Sequence, residues 1–330
     1  MNNNLVKYCT YQVLRVISLL LAVCLGAFTL LSLSPFDPIQ AYVGADSALV
    51  TPAQAEKIAC HWGLNDPPPQ RFGKWLSAVV HGDFGISMIY RKPVLEIIRE
   101  KFSASFILMG IAWSLSGILG FSLGIVAAMQ RGKWLDRMIK WLTLTLASTP
   151  TFWFGLVILM IFAVKLGWFP IGLGVPVGLT SATVSWAERL YHMILPAITL
   201  SIIGVANIAQ HTREKMIDVL ETDYILYAKA RGESRWTLLY RHGLRNILLP
   251  AVTLQFASFN ELFGGSILAE QVFAYPGLGQ AVVNAGIKGD VPLLLGITLF
   301  SSIFVFLGNL TANLIYGWVD PQIKESGVNG

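Results

Sequence analysis

Charge is what this chain has least of. Its 330 residues carry 24 Lys+Arg and 19 Asp+Glu, so 13% are charged, against about 25% in an ordinary soluble domain. Hydrophobic residues make up 54%, and mean hydropathy is +0.60. A water-soluble chain of this length needs a well-charged surface around one large or two medium cores, and these charges cannot cover it. A soluble enzyme, a disordered tail and a nucleic-acid binder are poor readings for the same reason. Cysteine is equally scarce. Cys9, Cys24 and Cys60 show no metal-ligand spacing and suggest no intrachain disulfide. No two histidines stand at i, i+4, so no helix carries a preformed metal site. The two Gly-Lys pairs, Gly73-Lys74 and Gly132-Lys133, lack both the glycine five residues earlier and the following Ser/Thr, so there is no phosphate-binding loop. No nucleophile–base pair appears. The chain is expected to have no catalytic residues, no metal and no bound cofactor.

What the chain has is long apolar runs. Val16–Leu33, Phe102–Met129, Trp141–Val164, Tyr191–Gln210 and Val291–Val319 hold no charged residue, and Asn246–Ala269 holds one, Glu261. A helix needs about 20 mostly apolar residues to cross the hydrocarbon core. These runs are too uniformly apolar for the alternating strands of a membrane barrel. The expected fold is all-α and polytopic, with six transmembrane helices, the third kinked near Pro150. Residues 1–12 read as a mildly amphipathic helix along the inner surface, 13–33 as the first span and 34–101 as an outer segment. Residues 102–330 form a core of five spans that includes a cytoplasmic loop, 212–245.

Lys and Arg in short loops orient such a chain. Arg131, Lys133, Arg137 and Lys140 cluster between the second and third spans. Arg213, Lys215, Lys229, Arg231, Arg235, Arg241 and Arg245 follow the fourth. Both termini are therefore expected in the cytoplasm. With 14 basic and 8 acidic residues inside, 10 of each outside and Glu261 in the membrane, the net +5 is a topology signal.

The outer segment, Ser34–Lys101, is too small for a confident separate domain and suits a cap over the helix mouths. It opens with Pro35 and Pro38. Thr51 is placed to cap a short helix over Pro52–Trp62. Pro67-Pro68-Pro69 reads as an extended spacer, Phe72–Val80 as a second helix and Gly82-Asp83-Phe84-Gly85 as a turn. Pro93–Lys101 then leads into the second span. On the other side, Thr212–Arg245 reads as two short helices broken at Gly232. Its aromatics and flanking Lys229, Arg231 and Arg235 suggest a knuckle that docks on a protein, the plainer reading being a solvated connector.

Here the residues resemble a known family. Tyr227-Ala228-Lys229-Ala230-Arg231-Gly232, then His242-Gly243-Leu244-Arg245-Asn246 and Leu249-Pro250, resemble the cytoplasmic signature of ABC importer permeases, in the oligopeptide/dipeptide/nickel branch. Gly82–Ser87 with Arg91–Val94, Arg131–Asp136, Gly167–Pro170, His192–Ala197, Glu270–Gly279 and Asp320-Pro321 are similar to further stretches of that branch. Leu226 and Tyr227 stand where the general importer signature has Glu and Ala, a departure usual in this branch. The resemblance implies a type I importer permease fold in a bacterial inner membrane. It implies a second, similar permease, two ATPase subunits that hold the ATP and Mg2+, and an extracytoplasmic solute-binding protein. Tyr227 to Gly232 would form a coupling helix seated in an ATPase cleft, with Gly232 for a tight turn and Ala228 and Ala230 for close backbone approach. The substrate would be a short peptide, or alternatively nickel or a metal–chelator complex. A self-contained secondary transporter or channel is the rival class; it predicts internal inverted repeats and several intramembrane charges.

A charge deep in a membrane costs about 3 kcal/mol and faces a partner or a water-filled path. Glu261 is therefore a candidate path residue with Asn260, Gly264 and Gly265 beside it. The alternative is a structural hydrogen bond to Asn207, His211 or another subunit. Glu270, Pro276 and Gly277 are candidate outer-gate residues, or else an interfacial loop. Gly120 and Gly124 on the second span form a small-xxx-small pair suited to close helix packing, and His192 reads as structural.

Overall fold

The computed structural model describes residues 2–33, 39, 43, 51–61, 63–175 and 184–319. Pro35, Pro38, Trp62 and Asp320-Pro321 lie outside the described residues.

The elements follow one another as helices. α1 is Asn2–Ser32, one continuous helix through both the expected inner-surface helix and the first span. α2 is Pro52–His61, and the Thr51 and Gln54 side chains cap it reciprocally. α3 is Pro68–Val80. The expected extended spacer is thus corrected: Pro68 and Pro69 begin a helix, where a missing N–H costs nothing and φ is already set. α4 is Val94–Met129, α5 is Trp134–Ser148 and α6 is Thr151–Ile158, continued by a π-helical turn over Leu159–Lys165. α7 is Trp186–Leu220, opened by a capping box between Ser185 and Glu188. α8 is Asp223–Ala230 and α9 is Arg235–Leu238, followed by a π-helical turn over Leu239–Gly243. α10 is Leu244–Ala257, α11 is Phe259–Val272, α12 is Leu278–Lys288 and α13 is Val291–Val319.

Four helices are long and apolar enough to span a bilayer, and two bent pairs pass the same test, giving up to six spans among the described residues. The bend between α5 and α6 is 110°, far sharper than a proline kink. Pro150 is extended there as the N-cap of α6, so the helix stops and restarts. The fifth expected span also breaks, at Ser258, with a 56° bend.

The chain divides into two compact units. One comprises Met1–Ala104 with Gly277–Leu307, and the other Ser105–Pro276 with Gly308–Gly330. In the first, Val94, Ile97 and Ile98 of α4 bury against Leu278, Ala281 and Ala285 of α12 and Leu293 and Ile297 of α13. α3 lies on α1 through Phe72 and Phe28. A tight turn over Gly85–Val94, closed by hydrogen bonds from Ser87 N–H to the Lys92 carbonyl and from Val94 N–H to the Gly85 carbonyl, is latched to Asp290. That carboxylate accepts from Ser87 Oγ at 2.6 Å, Ile89 N–H at 3.0 Å and Leu293 N–H at 3.2 Å. Burial raises the Asp290 pKa, against the pull of those donors. Asp290→Ala strands Ser87 Oγ and two N–H groups, a cost of about 3 kcal/mol. Limited proteolysis should then cut the Gly85–Val94 turn faster than in the native chain. Equal cutting rates would show that Asp290 is no latch.

In the second unit α7 is central, packing against α5, α6, α10 and α11. α4 also presses on it through glycine. A Cβ at Gly120 would lie 2.8 Å from Ile208 Cβ, and one at Gly124 only 2.6 Å from the Ala209 carbonyl oxygen and Thr212 Cβ. The small-xxx-small expectation thus has a geometric basis. Lower on polarity's scale than water, the membrane makes unpaired polar groups costly, and Trp113 Nε1 accordingly donates to the Gln255 carbonyl while Gln255 Nε2 donates to Ser116 Oγ.

Candidate functional site

The knuckle is built on the end of α7. Ile225, Ala228 and Leu238 bury together against Val219 and Leu220, so α8 and α9 fold onto the helix that carries them. α8 ends in a Schellman motif: Glu233 N–H donates to the Ala228 carbonyl and Gly232 N–H to that of Lys229. Gly232 has φ +85°, the left-handed conformation that motif requires. An added Cβ there meets nothing within 4 Å in this chain, so the turn, not local crowding, calls for glycine.

Ala228 is turned inward and holds the knuckle together. The outward face carries Leu226, Tyr227, Lys229, Ala230 and Arg231, with Tyr227 67% exposed. Two of the knuckle's side chains are tied back: the Tyr224 hydroxyl accepts from Asn246 Nδ2 at 3.0 Å, and Lys229 Nζ donates to the Leu220 carbonyl at 3.2 Å. His242 Nε2 lies 3.2 Å from Glu233 Oε2, and Gly243 makes room for Met216. The motif His242 to Asn246 is therefore the buttress of the knuckle, a role its spacing did not reveal. An apolar, basic-rimmed projection without internal packing on its outer face is suited to docking.

α11 presents a second feature. Glu261, Gly264 and Leu268 are exposed along one stripe, at the spacing of a helix face. Among the described residues, Glu261 has no hydrogen bond or ion pair to Asn207 or His211. The two glycines divide. Gly264 faces open space, whereas a Cβ on Gly265 would meet Leu200 at 3.1 Å. Asn260 lies on the same helix, its side chain outside the described residues. A carboxylate and a glycine make a poor lipid-facing stripe.

Beyond α11 the chain folds back. Glu270 is fully buried and accepts from Ser105 Oγ at 2.5 Å. Leu173 N–H donates to the Phe273 carbonyl at 2.9 Å, and Gly172 and Gly174 give room to Phe273 and Pro276. Ring nitrogen Nδ1 of His192 lies 2.9 Å from the Leu173 carbonyl oxygen, which fits the structural reading of that residue. Gly277 is the N-cap of α12, a short helix that follows the Pro-Gly turn. The structure thus brings Glu270 and Pro276 into one stitched loop region with residues 172–174, a neighbour no sequence signal named.

Residues 120–325 match the family described as binding-protein-dependent transport system inner membrane component. The oligopeptide transport system permease protein AppB of Bacillus subtilis is 34% identical, over 96% of this chain and 99% of its own length. The glutathione transport system permease protein GsiC of Pectobacterium atrosepticum is 34% identical over 97% and 99%, and a putative peptide permease protein of Brucella suis is 34% identical over the same shares. A chain of the inward-facing MetNI methionine ABC transporter aligns with TM-score 0.55 at 15% identity, over 68% of this chain and 97% of that one, a likeness of fold.

Proposed function

The chain belongs to the family of binding-protein-dependent transport system inner membrane components, and from that premise we propose that it is the permease through which an ATP-driven importer moves short peptides. It is a multi-pass permease subunit of an ABC importer. The names of its relatives, oligopeptide and glutathione permeases, favour peptides over nickel or metal chelates. The observation that carries the mechanism is the knuckle: a folded, buttressed projection whose outer face is left unpacked.

In this reading two ATPases sit on the cytoplasmic side, where the basic loops and both termini lie. One of them receives Tyr227, Lys229, Ala230 and Arg231. ATP binding draws the ATPases together, and differential affinity for the two states of the permease pair sets which side is open. A binding protein delivers substrate outside, where the loop around Glu270, Pro276 and Gly277 serves as a gate. The rival secondary transporter shares the helix break at Ser258 but not the family, and it gives the knuckle no purpose.

The stripe on α11 lines the path. Peptides carry an α-ammonium, and Glu261 supplies the opposite charge at the break between α10 and α11, with Gly264 leaving space beside it. Glu261→Gln is expected to lower uptake of peptides with a free amino terminus by about tenfold, a transition-state or binding loss near 1.4 kcal/mol, and to spare N-acetylated peptides. Assembly with the partner subunits stays intact. Equal uptake of both peptide classes by the variant would remove Glu261 from the path.

A further inference from the structure

The inner loop between α4 and α5, with the first turn of α5, has no part in the docking face, yet it grips the base of the knuckle. Asp136, 4% exposed, receives both arms of the Arg213 guanidinium: Nε donates to Oδ1 at 2.6 Å and an Nη to Oδ2 at 2.9 Å. Gly132 N–H donates to the same carboxylate at 2.9 Å. Arg131 pairs with Glu221 at the end of α7. A two-armed pair of this kind is directional and stiff, unlike a single surface contact.

Its position gives it a purpose. α7 has 35 residues and rises about 52 Å, whereas the hydrocarbon core is about 30 Å thick. The helix overshoots the membrane, and the knuckle hangs on its free end. A sideways push at the knuckle would bend such a cantilever and be lost. Arg213 lies about two turns before the end of α7, where the clamp ties the overhang to the start of α5. From α5 the chain turns 110° into α6, which packs on α7 through Gly155 and Thr199. It then reaches the loop whose Leu173 N–H holds the Phe273 carbonyl.

We propose that the Asp136–Arg213 clamp is a positioning pair for energy coupling: it makes α5 and α6 move with the knuckle, so that ATP hydrolysis drives the rearrangement of the permease. This rests on the reading of the chain as an importer permease. Contiguity alone does not show coupling, so the test must separate coupling from folding.

The experiment uses the assembled importer in proteoliposomes with its binding protein, measuring labelled peptide imported and ATP hydrolysed together. Asp136→Asn and Arg213→Gln should assemble at native yield and hydrolyse ATP within about twofold of the native rate, while peptide imported per ATP falls about tenfold. The double exchange, Asp136→Arg with Arg213→Asp, should recover the ratio to within about threefold. An unchanged ratio in the single variants would overturn the proposal. So would import and hydrolysis falling in proportion, which marks a merely structural pair. If a single variant fails to assemble, Arg213→Lys carries the test, since it keeps the charge and loses the fork: a native ratio there overturns the clamp and a reduced one supports it. Import by the native complex that needs no ATP would instead refute the importer reading itself.

Discussion

Replacing Gly232 with tryptophan is expected to abolish import while leaving the chain in the membrane. Two effects combine. Gly232 has φ +85° in the Schellman turn that ends α8, and an L-residue there costs roughly 1–2 kcal/mol. The indole then projects from a surface that this chain leaves empty, where, in the proposed docking, an ATPase closes on the knuckle. Because nothing in the chain lies within 4 Å of the added Cβ, the helices behind the knuckle should pack normally. The variant is expected to lose at least tenfold in ATPase binding, a change of about 1.4 kcal/mol, seen as failure of the ATPases to copurify. Gly232→Ala carries the strain without the bulk and should retain part of both binding and uptake. Full binding and uptake by the tryptophan variant would show that the knuckle is a plain connector.

Replacing Gly124 with leucine should fail earlier, in the fold itself. Its Cβ alone would lie 2.6 Å from a backbone oxygen of α7 and from Thr212 Cβ. Overpacking a core costs about 1–3 kcal/mol when side chains can adjust; a backbone carbonyl of a central helix cannot. Folded protein recovered from membranes, measured by size-exclusion profile in mild detergent, should drop severalfold. Gly110 on the same helix has nothing within 4 Å, and Gly110→Leu should leave the profile intact. If both variants elute alike, close packing of α4 on α7 is not a requirement of the fold.

The long apolar helices were legible because lipid excludes charge, so their places show in composition alone. The knuckle was legible because Gly232 breaks a helical pattern between two apolar turns. The bends were not. A proline announces a kink, but the 110° turn at Pro150 depends on α6 packing against α7, a contact distant in sequence. The Asp136–Arg213 clamp was hidden for the same reason: the partners stand 77 residues apart, and each reads alone as one more charge in a basic loop. Ala228 shows a subtler limit. Its small size suits either a partner's backbone or a tight internal corner, and burial against Ile225 and Leu238 distinguishes them. The capping box at Ser185 and Glu188 marks the start of α7 ahead of the apolar run, a start the charge-free run alone did not give.

The central claim is that this chain is the membrane path of an ATP-driven peptide importer. Proteoliposomes holding it with its partner permease and ATPases, supplied with binding protein outside and ATP inside, test that most directly. The account predicts accumulation of labelled short peptide that stops when ATP, the ATPases, the binding protein or this chain is left out. Peptide uptake by this chain alone, driven by an ion gradient and indifferent to ATP, would contradict it.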